Sequence, residues 1–303
     1  MTLASCDSRK TAGENPFFTE WDTPHGVPPF DKILPEHFMP AFERGMSLHE
    51  AEIDAITSNK DEATFENTIL AYDNAGQMLA QTELVFGMLC AAETNDRMQA
   101  LQEQAMPLLA AHRDKIRLDD KLFVRVKEVY DRRAALGLDA EQMRLLQKTY
   151  DSFVRAGALL DAEQKARLKE INGQLSLTAV KFGNNILAEN NNFVLELKSD
   201  ELDGLPAGIR DAAREKAQQM GKGDKWVFTL HKPSLIPLLT YSTRRDLREK
   251  IYKAYLNRCN NGDEYDNKQL INDFIRLRTE KAHLLGYPSY AAYVVDDEMA
   301  GTT

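Results

Sequence analysis

The sequence predicts a mainly α protein with one small β element near residues 193–230. Three observations carry this. Apolar residues recur at spacings of three and four, as in Leu168, Ile171, Leu175, Ala179, Phe182 and Ile186. Helix-start signals stand ahead of such stripes. Two segments, Phe193–Leu197 and Lys225–Leu230, read instead as short strands, the second alternating across two faces.

Taken in order, Pro28, Pro29 and Pro35 punctuate an extended leading segment. Helices are expected over Pro35–Ser58, Phe65–Ala92, Asp96–Ile116, Asp120–Leu136, Asp139–Ala156 and Asp161–Leu187. Two starts share the sequence Leu-Asp-Ala-Glu-Gln, at 138–142 and again 22 residues later at 160–164. Each Asp can accept from free backbone N–H groups, and each Gln three residues on can reach back. Their flanks diverge, so the match is read as convergent capping rather than a repeat. Asn190-Asn191-Asn192 is expected to end the longest helix, because Asn tolerates left-handed backbone. Between the strands Pro206–Met220 reads as a helix, and Gly221–Lys225 as a turn into the second strand. Helices resume over Ser234–Thr240, Arg244–Asn257, Asn267–Leu285 and Ser289–Val295. In the longest of these Leu270, Ile271, Phe274, Ile275, Arg278 and Ala282 are the expected buried stripe, with Tyr255 and Tyr287 packing at core seams.

Apolar content of 43% and charged content of 28% describe a globular chain. A net charge of −9 argues against a nucleic-acid partner. Asp31–Glu66 is acidic, and the basic stretch Arg244–Lys281 has its acids interleaved, as in the pair Glu249 and Lys253. Three Cys make no disulfide framework, and Cys90 and Cys259 read as inert thiols.

Catalytic motifs are sparse. The six His are His25, His37, His49, His112, His231 and His283, and no two stand four residues apart. His49-Glu50 begins a zinc-type pair, but Ile53 occupies the second position, so His49 is read as a surface helix residue. No catalytic residue, cofactor ligand or metal ligand is assigned. Gly221-Lys222 lacks the Gly a phosphate loop needs five residues earlier, where Lys216 stands. Asp296-Asp297-Glu298 reads as a solvated acidic end rather than a cation site.

Cys6 is the one candidate modification site. Leu3-Ala4-Ser5-Cys6 has the form of a bacterial lipoprotein cleavage box, followed by a polar tether to Glu14. Only Met1 and Thr2 precede it, without the basic and apolar regions of a signal. Either a longer signal lies upstream, giving a lipid-anchored envelope or periplasmic protein, or the match is chance and the chain is cytoplasmic.

An ordered series of segments resembles one enzyme family. Asn15-Pro16-Phe17-Phe18, then Ile33-Leu34-Pro35-Glu36-His37-Phe38, then Lys181-Phe182-Gly183-Asn184-Asn185-Ile186-Leu187 are its earlier pieces. Arg248, Tyr252, Ala254, Tyr255, Arg258, Asp266 and Asn267 follow, and then Leu277-Arg278-Thr279-Glu280-Lys281-Ala282-His283-Leu284-Leu285-Gly286-Tyr287. Tyr290-Ala291-Ala292-Tyr293 and Met299-Ala300 continue the series. It is similar to the peptidyl-dipeptidase, oligopeptidase A and thimet oligopeptidase family of zinc metallopeptidases. The resemblance implies the multi-helix N-terminal lobe of a zincin-type oligopeptidase. It divides the chain into a signal remnant or tether at 1–14, a helical lobe at 15–190, and a β-containing segment with helices at 191–303.

Members of that family cut short peptides within a deep channel. Their His-Glu-x-x-His helix holds zinc, and its Glu activates the metal-bound water. That motif does not occur in these 303 residues. The expectation is an N-terminal fragment, inactive alone and binding no zinc. The rival is a stand-alone helical module that binds peptides or complements a separate catalytic chain.

Overall fold

A computed structural model describes residues 15–303. The tether and Cys6 lie outside the described residues. The fold is mainly helical, with a single two-stranded antiparallel sheet among the described residues.

The leading segment is pinned by side chains before the first helix begins. Asn15 accepts from Phe17 N–H and donates to His37 O at 2.8 Å. Trp21 Nε1 donates to Pro16 O. Phe17 then packs against Phe38 of α1 (Phe38–Ser58), and Phe38 packs edge-on against Phe86 of α3. The expected helix Phe65–Ala92 is divided. A wide π-type turn at Phe65–Leu70 leads into a short α2 (Ala71–Asp73), and α3 runs only over Gln77–Ala92. The break falls at Gly76, which is left-handed at φ 75° and gives its N–H to Glu52. A Cβ there would lie 3.0 Å from the His49 ring, so only glycine fits without displacement.

The next helices are α4 (Asp96–Arg117), α5 (Asp120–Asp131), α6 (Ala140–Ala156) and α7 (Ala162–Asn192). Both repeated caps form. Asp139 accepts from Gln142 N–H at 2.9 Å and Asp161 from Gln164 N–H at 2.8 Å, and each Gln side chain returns to its Asp N–H at 3.1 Å. Gly157 closes α6 in a left-handed turn.

The sheet is β1 (Leu195–Leu197) with β2 (Trp226–Phe228), Leu195 opposite Phe228 and Leu197 opposite Trp226. The turn at Gly221–Gly223 delivers the chain into β2 with left-handed glycines at both ends. Helix α8 (Ala207–Gln219) lies between the strands in sequence. Helices α9 (Lys232–Tyr241), α10 (Arg245–Leu256), α11 (Lys268–Leu284) and α12 (Tyr290–Val295) complete the chain.

Two compact units result. One ends at Leu177 and resumes over Arg278–Thr303; the other is Thr178–Leu277. In the first, one core gathers Phe38, Phe42, Phe86 and Leu109, and another gathers Ile69, Leu122, Leu146 and Phe153. In the second, Leu197, Phe228, Leu238 and Ile251 lie at the centre.

Two expected stripes differ from those observed. On α7 Leu168 and Ile171 are buried as expected, but Ala179 is exposed while Val180 and Asn185 are buried. The helix belongs to one unit up to Leu177 and to the other from Thr178, and its buried positions shift across that boundary. On α11 Leu277 and Ala282 are buried, whereas Ile271, Ile275 and Arg278 are exposed. Periodicity identifies an apolar face; it does not say whether anything covers it.

Candidate functional surface

Within each unit, the segments that carry the family resemblance form turns and ion pairs. Arg258, just past α10, lays its guanidinium 3.8 Å over the Tyr255 ring and donates to Tyr255 O and to Asn190 Oδ1. Cys259 follows with left-handed backbone, φ 55°. A non-glycine residue holds that conformation only where its surroundings fix it. Here Glu189 accepts its N–H at 2.7 Å, and Asn267 N–H donates to its carbonyl at 2.8 Å. Burial, with Glu189 beside it, pushes the Cys259 thiol up to about 11, so it stays protonated at neutral pH.

The polar turn ahead of α11 is organised by Asp266. It accepts from Gly262 N–H at 2.7 Å, Lys268 N–H at 2.9 Å and the Lys268 ammonium at 2.5 Å. The Lys268 side chain first, and these N–H donors, hold its carboxyl down to about 2. Asn267 is buried and accepts from Asn185 Nδ2 at 2.8 Å.

Further on, Glu280 takes both arms of the Arg167 guanidinium at 2.6 and 2.8 Å. Lys281 donates to Asn172 Oδ1 at 2.7 Å, and burial holds its pKa below the ordinary lysine value. Arg155 donates to Tyr287 Oη, Tyr293 O and Asp296. Tyr287 in turn donates to Asp296 at 2.8 Å, and Lys148 pairs with Asp297. The acidic run is therefore partly engaged rather than simply solvated. Tyr255 and Tyr287 have packing roles. The bonds of Arg155 to Asp296, Arg167 to Glu280 and Asn172 to Lys281 carried no sequence signal, because each joins residues more than a hundred positions apart.

Of the six histidines, His25 and His283 are exposed. His37 Nδ1 accepts from Leu34 N–H. His231 stands at the α9 N-terminus beside Thr229 Oγ1. His49 is not a free surface residue: it is half-buried, with Nδ1 at 3.0 Å from His112 Nε2. No group of three or more His, Cys, Asp or Glu among the described residues is placed to hold a metal ion.

Open recesses among the described residues include two lined by polar and apolar side chains together. One of about 370 Å³ in the second unit is lined by Ala213 and Lys216 of α8, Phe228 of β2, and His231. Another of about 630 Å³ in the first unit lies against Trp21, Arg44, Leu48 and Leu84. The first recess also holds the Thr229 and Ser234 hydroxyls; Thr229 Oγ1 lies 3.2 Å from His231 Nδ1, and Ser234 Oγ accepts from Thr229 N–H. On α10 and α11, Tyr252 with Leu256, and Ile271 with Ile275, form exposed apolar pairs at i, i+4 spacing, Leu256 and Ile275 being 60% and 61% accessible.

Residues 238–303 match the model of peptidase family M3. The chain is 37% identical to the dipeptidyl carboxypeptidase of Escherichia coli (strain K12) over 95% of its own length. The Salmonella typhimurium dipeptidyl carboxypeptidase is 35% identical over the same share. Over residues 238–303 the chain resembles peptidase family M3. Similarity extends to the Escherichia coli oligopeptidase A, at 26% identity over 92% of this chain. The chain spans only 42% of the length of each of these three curated relatives. The matched stretch holds Arg258, Cys259, Asp266, Asn267 and Glu280 together with their hydrogen bonds.

Proposed function

We propose that the chain is the N-terminal part of a zinc-dependent peptidyl-dipeptidase or oligopeptidase acting on short peptides. The observation that carries this is its similarity to a dipeptidyl carboxypeptidase along 95% of itself but only 42% of that relative. In this reading the chain supplies helical framework and the catalytic groups reside elsewhere in the whole enzyme. The absence of a His pair at i, i+4 among its six histidines supports that division. Alone, it leaves an internally quenched peptide uncut. Turnover by the purified chain that stops when a chelator is added overturns the reading.

A second reading, a module that complements a separate catalytic chain, is favoured by the exposed pairs Tyr252/Leu256 and Ile271/Ile275. Mixing the chain with a separately produced remainder of an M3 peptidase decides it: peptide turnover appears only in the mixture. Attachment to the cell envelope through Cys6 belongs to the same proposal, and incorporation of labelled palmitate in cells tests it.

A further inference from the structure

Helix α1 carries His49 and α4 carries His112, and the two rings meet with His112 Nε2 at 3.0 Å from His49 Nδ1. At that distance one nitrogen donates a hydrogen and the other offers its lone pair. The assignment follows from the far side of His112. Its Nδ1 lies 3.5 Å from Glu50 Oε1, and the residue is 5% exposed. A carboxylate there favours the hydrogen on Nδ1, which leaves Nε2 as the acceptor. His49 Nδ1–H therefore donates to His112 Nε2. The Gly76 turn walls in the His49 ring, and Glu52 fastens that turn through the Gly76 N–H at 2.7 Å.

We propose that His49 and His112 form a proton-operated latch between α1 and α4, closed while at least one ring is neutral and released when both are charged. The first proton leaves one hydrogen shared between His112 Nε2 and His49 Nδ1. The second takes the remaining lone pair, on which the contact depends, and sets two cations 3.0 Å apart, with His112 buried and His49 half-buried.

The surrounding charges divide. On α1, Glu50 and Glu52 favour the charged rings, but Glu50 is already paired with Lys115 at 2.8 Å. On α4, Lys115 and Arg113 oppose a charged His112. From α3, Glu83 pairs with Arg113 at 3.3 Å rather than with either ring. Burial outweighs the acids and holds both imidazoles below their ordinary value. The sign follows from that depression. The neutral pair stabilises the fold above the unfolded histidine value of about 6.5, and the contribution fades as pH falls below it.

The test is amide hydrogen exchange of the full chain at about pH 7.5 and about pH 5, corrected for the intrinsic pH dependence of exchange. The expected result is about a tenfold rise in opening around Glu50–Ile53 and Ala110–Lys115, with α10 unchanged. His112→Gln keeps a neutral donor and acceptor and removes the response. Equal protection at both pH values, or the same rise in the variant, overturns the latch. Should the variant not fold, ring titration of the unaltered chain by NMR decides: the latch requires the two rings to titrate in separated, coupled steps, and independent titration of both near the ordinary value overturns it.

Discussion

Asn185 donates its side-chain amide to the Asn267 side-chain carbonyl across 2.8 Å, with both residues buried in the second unit. Asn267 adds a bond from its own amide to Phe182 O and gives its backbone N–H to Cys259 O. One residue thus ties the middle of α7 to the turn that starts α11. Replacing Asn267 with Leu removes the acceptor and leaves Asn185 buried without its partner. The expected loss is about 1–3 kcal/mol, the usual penalty for an orphaned buried polar group. Urea denaturation measures it, and an unchanged midpoint refutes the role.

The twin caps at Asp139 and Asp161 give a second prediction. Asp139→Ala and Asp161→Ala are each expected to destabilise the chain by about 1 kcal/mol. The double variant should lose close to the sum, because the caps open separate helices. Thermal unfolding followed by circular dichroism reads both effects, and a double variant no worse than either single one contradicts independent capping.

A third concerns acid. Asp266 is held at about 2 in the folded chain, below its unfolded value, chiefly by the Lys268 side chain. Its contribution is present above the unfolded value of about 4 and is lost as pH falls toward the folded value. Asp266→Asn should therefore flatten the decline of stability between about pH 4 and pH 2. An identical acid limb in the variant and the parent removes Asp266 from the account.

A fourth follows from the uncovered faces of α10 and α11. Exposed apolar pairs such as Ile271/Ile275 and Tyr252/Leu256 favour association with another surface. The isolated chain should show concentration-dependent self-association in sedimentation velocity. Ile275→Lys together with Leu256→Lys should shift it toward the monomer without lowering the unfolding temperature. A parent chain that remains monomeric at high concentration disproves the prediction.

Much of the fold was legible because its signals are local. The Asp-x-x-Gln caps and the glycine turn into β2 each depend on neighbours within a few residues, and each forms as expected, whereas α7 runs past the expected end at Leu187 and through the Asn run to Asn192, with no left-handed residue there. The break at Gly76 was also written locally, in Asp73-Asn74-Ala75-Gly76, but the apolar periodicity on either side obscured it. What could not be read depends on partners far along the chain. His49 resembles a surface helix residue until His112, 63 positions later, is placed beside it. Glu280 and Lys281 belong to a recognisable motif, yet their bonds to Arg167 and Asn172 have no sequence periodicity to announce them. Ile271 and Ile275 were expected inside because they share an apolar face; nothing among the described residues buries them.

The return of Arg278–Thr303 to the unit that ends at Leu177 has a practical consequence for dissecting this molecule. No single cut in the gene releases either unit intact. A product stopping at Leu177 would strand Arg155 and Arg167 without Asp296 and Glu280. One starting at Thr178 would carry those carboxylates with no guanidinium to receive them. Deletion mapping by successive truncation would thus report collapse at every step and mistake a severed scaffold for a lost function; excising Thr178–Leu277 and bridging the gap is the dissection that respects how the polypeptide is threaded.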